Sequence, residues 1–166
     1  MEAQNTPMNI TIFPLVLIVL SFSVPAFAQE FPAHVISVSE GDAITVRHER
    51  RMVRIRLRGV DCPEKGQPYF NEAKRFTSFM ADNRDVLVRP LGKDARGRTI
   101  ADVILPGGKS LNQELLQEGL AWWDRKHSND QAMKDLQDVA QAGKRGLWSE
   151  AKPIPPWEWK NRKRRR

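Results

Sequence analysis

From residue 34 to residue 58 the chain alternates apolar and polar positions with a period of two, the pattern of strands that bury one face. Breaks at Glu40-Gly41-Asp42 and His48-Glu49-Arg50 divide this stretch into three strands, over residues 34–39, 43–47 and 52–58, joined by turns into a meander. Two further strands, over 86–91 and 99–105, flank a glycine-containing connection at 93–98. Elsewhere the period changes. Phe70, Ala73, Phe76, Thr77 and Met80 recur at helical spacing just after Pro68, which predicts a helix over 68–82 with its aromatic face inward. Leu111, Leu115, Leu116 and Leu120 mark a second helix, capped by Ser110 or, one turn in, by Asn112. Met133, Leu136, Val139 and Ala140 mark a third, entered through Ser128-Asn129-Asp130 and closed near Gly143. Five short strands with three helices predict an α+β domain whose strands close into a small barrel.

Both ends depart from this pattern. Residues 10–24 are almost wholly apolar and lead to Ala26-Phe27-Ala28, which reads as a secretory signal over 1–28 cleaved after Ala28. The run falls short of the about 20 residues that a membrane-spanning helix needs. No Lys or Arg precedes it and Glu2 is acidic, so an uncleaved N-terminal membrane anchor stands as the alternative to a secreted or periplasmic product. After a domain over 29–152 comes a tail over 153–166. Its Pro153-Ile154-Pro155-Pro156 is too proline-rich for regular helix, and Trp157 and Trp159 are placed to pack back onto the domain. Six of the last seven residues are basic. The last few are predicted to be disordered, and the tail reads equally as a nucleic-acid grip or as a solvated charged end.

Charge narrows the partner. Lys and Arg number 27 against 20 Asp and Glu, a net charge of +7, and the leader holds only one charged side chain, Glu2. The basic excess therefore belongs to the remainder of the chain and favours polyanions such as nucleic acid, although membrane surfaces also attract it. Cys62 is the single cysteine, so no internal disulfide forms, and with His34, His48 and His127 it makes no zinc-finger spacing. His34 and His48 read as surface strand positions.

Candidate chemistry concentrates in residues 56–64. Arg54, Arg56 and Arg58 share the face opposite Val53, Ile55 and Leu57, and Gly59 and Pro63 then put Asp61 and Glu64 on a turn. Arginine forks suit phosphate, carboxylates suit a hard divalent cation, and a carboxylate beside such a cation can manage an attacking water. A guarded strand edge would look the same, and periodicity does not choose among the three arginines.

Similar chemistry recurs at Glu40-Gly41-Asp42 and at Asp94-Ala95-Arg96-Gly97-Arg98. Taken together, EGDAITV, VRIRLRGVDCPE and KDARGR, followed by LNQELLQEGLAW and AGKRGLW, resemble the staphylococcal nuclease (thermonuclease) family, from about residue 32 to residue 148. The resemblance implies an OB-type five-stranded barrel with three packed helices. It implies a calcium-dependent endonuclease that cleaves DNA and RNA to 3′-phosphate ends, working as a monomer with no stable membrane association once the leader is removed. Position by position, Asp42 and Asp61 match the aspartates that hold calcium, and Cys62 matches the residue that lends its backbone carbonyl. Glu64 matches the glutamate that handles the attacking water, and Arg56 and Arg98 match the arginines on the scissile phosphate, leaving Arg54 and Arg58 as surface charges. Two departures touch substrate grip. Where the family often presents tyrosines after the second helix this chain has Trp122-Trp123-Asp124 and then Arg125, Lys126 and His127, candidate replacements. Where it often has lysine and tyrosine this chain has Ala95 and Arg96, of which Arg96 keeps a phosphate-binding charge. A non-catalytic nucleic-acid-binding module on the same barrel is the alternative, since related domains have lost their active residues.

Overall fold

The computed structural model describes residues 29–164; the predicted leader and Arg165 and Arg166 lie outside them. β1 (Phe31–Glu40), β2 (Ala43–His48) and β3 (Arg51–Leu57) form the antiparallel meander that the alternation predicts. β5 (Asp85–Lys93) and β6 (Thr99–Ile104) form a hairpin, β6 lies parallel to β3, and β5 pairs with β1. The order β1-β2-β3-β6-β5 thus closes on itself as a five-stranded barrel. A second, two-stranded sheet pairs β4 (Val60–Asp61) with β7 (Trp122–Trp123).

Ile44, Val46, Ile55, Leu57, Val88 and Val103 are the inward halves of the alternation, and each is essentially without solvent contact. Burial of each such side chain is worth roughly 1.5–3 kcal/mol. α1 (Phe70–Ala81), α2 (Leu111–Gln117) and α3 (Gln131–Ala142) pack around this core. On α1 the buried face is centred on Ala73, Thr77 and Ala81 rather than on aromatics, with Phe76 and Met80 half-buried beside it. Small residues let the helix lie close to the barrel: a Cβ added at Gly41 would sit 2.8 Å from Ala73 Cβ. On α3 Met133 and Ala140 are buried, but Val139 is exposed, because the helix turns that position past its contact.

Ser110 is the cap of α2, accepting from the Gln113 N–H. Asn112 is instead buried inside, where its Oδ1 accepts from Val103 N and its Nδ2 donates to the carbonyl of Arg58. Asp130 caps α3 and Gly143 closes it. These are the three packed helices expected; what the structure corrects is the reading of the tail as too proline-rich for regular helix. Pro156 opens a fourth helix, α4 (Pro156–Arg164), at the one turn where proline's missing N–H costs no bond. Among the described residues no helix is long and apolar enough to cross a membrane.

Candidate active site

The site forms where three chain segments meet the end of β3. Arg56 leaves the barrel on the face opposite Ile55 and Leu57 and reaches two carboxylates, Asp42 Oδ2 through Nη1 and Asp61 Oδ1 through Nη2, the latter at 2.7 Å. Asp42 sits on the β1–β2 turn and is 2 % exposed. That turn is fixed from behind: the Thr77 hydroxyl donates to the carbonyl of Gly41 at 2.5 Å, and Leu57 N donates to the carbonyl of Asp42. Asp61 follows the left-handed turn at Gly59, where a Cβ would stand 2.7 Å from Met133 Sδ, and it is held in the short sheet against Trp122.

Burial and the neighbouring Asp42 charge raise the Asp61 carboxyl, Arg56 opposes them, and the balance is about 6. Burial works against the charge on Arg56, but Asp42 and Asp61 outweigh it, so Arg56 holds its proton more tightly than an ordinary guanidinium. The Cys62 backbone N–H donates to Asp42 Oδ2 at 2.7 Å, while its thiol is enclosed beside Gly41. Burial, reinforced by Asp42, pushes that thiol well above its ordinary value, so it remains protonated.

Glu64 lies on the turn after Pro63. Gln67 organises the turn, its Oε1 accepting from Glu64 N at 3.0 Å and its N–H donating back to the Glu64 carbonyl. Gln67 also donates from Nε2 to the carbonyl of Ile154, which ties the turn to the tail. Arg98 closes the β5–β6 hairpin, where its Nε donates to Asp94 Oδ2 at 2.7 Å. Burial raises the Asp94 carboxyl, but bonds from the Arg98 side chain and from the backbone of Arg98 and Arg96 more than offset this and hold it below the usual range.

Two concavities, of about 850 and 560 Å³, share Arg56, Asp61, Asp94, Arg98 and Lys160 as common lining. Arg125, Lys126 and His127, exposed on the loop after β7, line the larger one, and Arg96 and Glu64 line the smaller. All of the predicted site side chains except Asp42 and Cys62 therefore reach one continuous cleft, and those two buttress Arg56 from beneath it. Arg54 is exposed, as expected. Arg58 is not a surface charge: its Nε binds both carboxylate oxygens of Asp102 at 3.0 and 3.1 Å and its Nη2 approaches Asp130 at 3.5 Å.

One site residue escapes sequence reasoning. Lys160, on α4, places its ammonium 2.8 Å from Glu64 Oε1 and 3.9 Å from Asp61 Oδ1. Its only sequence signal is membership of the basic tail. Trp157, one turn earlier, meets Trp122 edge-on at 5.7 Å, and Trp122 in turn meets Trp148 at 4.3 Å.

A family model described as staphylococcal nuclease homologue matches residues 54–150. An "Uncharacterized endonuclease" of Escherichia coli O157:H7 is 37% identical over 150 residues, which covers 90% of this chain and 97% of that protein. A "Micrococcal nuclease" of Shigella flexneri is 33% identical over 153 residues, covering 86% of this chain and 87% of its own. "Protein ParB" of Escherichia coli is 32% identical over 154 residues, covering 87% and 86%. With a closed mixed barrel, packed helices and two arginines beside paired carboxylates, the chain belongs to the staphylococcal nuclease family.

Proposed function

We propose that this protein is a calcium-dependent endonuclease that hydrolyses DNA and RNA to 3′-phosphate ends. Family membership supports the coarser part, a hydrolytic nuclease with a nucleic acid substrate. The observation that carries the finer part is the convergence of Arg56, Arg98, Asp61 and Glu64 on one cleft of a basic protein.

The chemistry follows from what each group can do. Arg56 and Arg98 present forked donors to a phosphodiester lying across the boundary of the two concavities, where they offset the negative charge that builds on its oxygens. Their geometry is set in advance, because Asp42, Asp61 and Asp94 hold the guanidiniums from the sides. Glu64 takes the proton of the attacking water as its oxygen bonds to phosphorus. The bond from phosphorus to the 5′ oxygen breaks, and that oxygen takes a proton from solvent.

Among the described residues no group of three or more His, Cys, Asp or Glu side chains is gathered to hold a metal. The donor chemistry nevertheless suits a hard cation. Asp42 and Asp61 are two buried carboxylates on a single buried guanidinium, and the further cation that the described residues bring to this pair is Lys160, 3.9 Å from Asp61. Oxygen donors from Asp42, Asp61 and the Cys62 carbonyl, completed by water and phosphate, would hold calcium there. Bound calcium would supply positive charge to polarise the scissile phosphate.

A nuclease assay on the purified protein with calcium, with magnesium and with chelator tests the reading. Cleavage of DNA and RNA in calcium, abolished by chelator, is expected. Cleavage indifferent to chelator removes the metal assignment, and binding without cleavage moves the protein to a non-catalytic module. Export to the periplasm or exterior is proposed on residues 10–28 alone, and N-terminal sequencing of the fractionated protein checks it: a start at Gln29 is expected.

A further inference from the structure

The cleft has two walls of different origin. One is formed chiefly by barrel residues and loops between Arg56 and His127, inside the stretch that carries the family match; the other is α4, which lies beyond residue 150. α4 is docked rather than trailing. Pro156 is buried, the Ile154 carbonyl accepts from Gln67, and Trp157 meets Trp122 edge-on. Trp157 is still 38% exposed, and with Lys160 it lines the same concavity as Arg56, Arg98 and Arg125. Lys160 stands where the two concavities join. An ammonium has three donors, so it can stay on Glu64 and still take a phosphate oxygen.

We propose that α4 forms a nucleotide subsite of the cleft, in which Trp157 stacks on an unpaired base of a single strand and Lys160 pairs with an adjacent phosphate. This rests on the nuclease reading and gives that site a preference for single strands. An indole beside a cationic track is the standard physical means of holding unpaired bases, since every base offers a face to stack and a paired one does not. The subsite also answers the lack of tyrosines after α2: the aromatic surface comes instead from the helix that packs on Trp122.

The test is equilibrium binding of a short fluorescein-labelled oligothymidylate, and of a duplex of the same length, in chelator by fluorescence anisotropy. Trp157→Ala is expected to weaken single-strand binding roughly tenfold or more, the effect of losing one stacked base. Trp157→Phe should recover most of that loss, and duplex binding should change much less. Lys160→Ala should lower the salt slope of single-strand binding by about 0.7, one phosphate contact. Arg75→Ala, which removes an equal charge from α1, should leave the slope unchanged. Lys160 is half-exposed, so its variant carries the test even if Trp157→Ala fails to fold. Single-strand binding untouched by Trp157→Ala and Lys160→Ala overturns the subsite, and so does tighter binding by Lys160→Ala, because the lysine would then be blocking the cleft. Either result with wild-type cleavage intact leaves the nuclease reading standing. Failure of the wild-type protein both to bind and to cleave overturns both.

Discussion

Arg56 and Arg58 leave the same strand on the same face two residues apart, and each is gripped by two carboxylates. Their surroundings assign them opposite work. Asp42 and Asp61, the partners of Arg56, come from the β1–β2 turn and from β4, and both are buried at the floor of the cleft. Asp102 and Asp130, the partners of Arg58, come from β6 and from the cap of α3. Asn112 adds to this second group, donating to Asp102 and to the Arg58 carbonyl. Both arginines line the larger concavity, but only Arg56 also borders the smaller one beside Glu64, while Arg58 ties β3 to β6 and to the start of α3. What sets the two groups apart is that Asp61 lines the cleft together with Arg56, whereas Asp102 and Asp130 line neither concavity.

The largest expected effects separate the two arginines' neighbourhoods. Arg98→Ala and Glu64→Ala, on the cleft side, should each lower turnover by about 10²–10³-fold, the size of a lost transition-state contact. Their melting temperatures should stay close to wild type, since each is partly exposed and its turn retains its backbone bonds. Arg58→Ala should do the reverse. It leaves Asp102 with only the Asn112 amide and no opposite charge, and costs about 1–3 kcal/mol, or roughly 3–10 °C in melting temperature, while turnover below the transition stays near wild type. Steady-state kinetics beside thermal melts read both quantities. Lost turnover with an unchanged melt in Arg58→Ala would exchange the two roles.

Much of the barrel is legible in the sequence because its inward positions alternate along most of each strand, with irregular register in β1 carrying the buried face from Val35 to Val38. Val53, Ile55 and Leu57 need only a period of two to identify the strand. The two arginines are not separable by that rule, since what distinguishes them lies on β6 and α3, far along the chain. β4 and β7 are too short to show a period at all. α4 was hidden for a different reason. It has no apolar stripe, and it is held at single points by Pro156, Trp157 and Lys160, so neither periodicity nor composition marks it. Reading the prolines as an end to helix overlooked that the last of them can begin one. The motif resemblance singles out the aspartates, Glu64 and the two cleft arginines as candidates, whereas the lysine on Glu64 belongs to no motif and is visible only in the fold.

A smaller effect distinguishes the carboxylates themselves. Asp61 has a folded-state value near 6 against an ordinary 3.8. Between those values the folded protein holds a proton that the unfolded chain has released. Unfolding then gives up a proton, so stability falls as pH rises from about 4 to about 6 and levels off above. The cost is on the order of 3 kcal/mol. In chelator, Asp61→Asn should remove this part of the pH dependence and unfold at higher urea than wild type at pH 7, while losing metal-dependent cleavage. Urea melts across pH 4 to 7 check it. A variant less stable than wild type at pH 7 would mean that the Arg56 pair stabilises as the Arg58 pair does.

The smallest effect is expected at Cys62, where the comparison turns on backbone rather than side chain. Its N–H shares Asp42 Oδ2 with Arg56 Nη1, and any residue other than proline supplies that bond. Its thiol is enclosed against Gly41 and kept protonated by burial and by Asp42, so it is neither an exposed nucleophile nor a soft-metal ligand. Cys62→Ala should therefore cost only the packing of one sulfur, about 1 kcal/mol, and leave calcium affinity and turnover almost unchanged. Calorimetric titration with calcium beside a thermal melt would read both, and the native protein should resist thiol reagents until it unfolds. A large loss of calcium affinity in Cys62→Ala would show that the side chain, not the backbone, sets Asp42 in place, and the cleft carboxylates would then depend on side-chain packing as closely as those around Arg58 do.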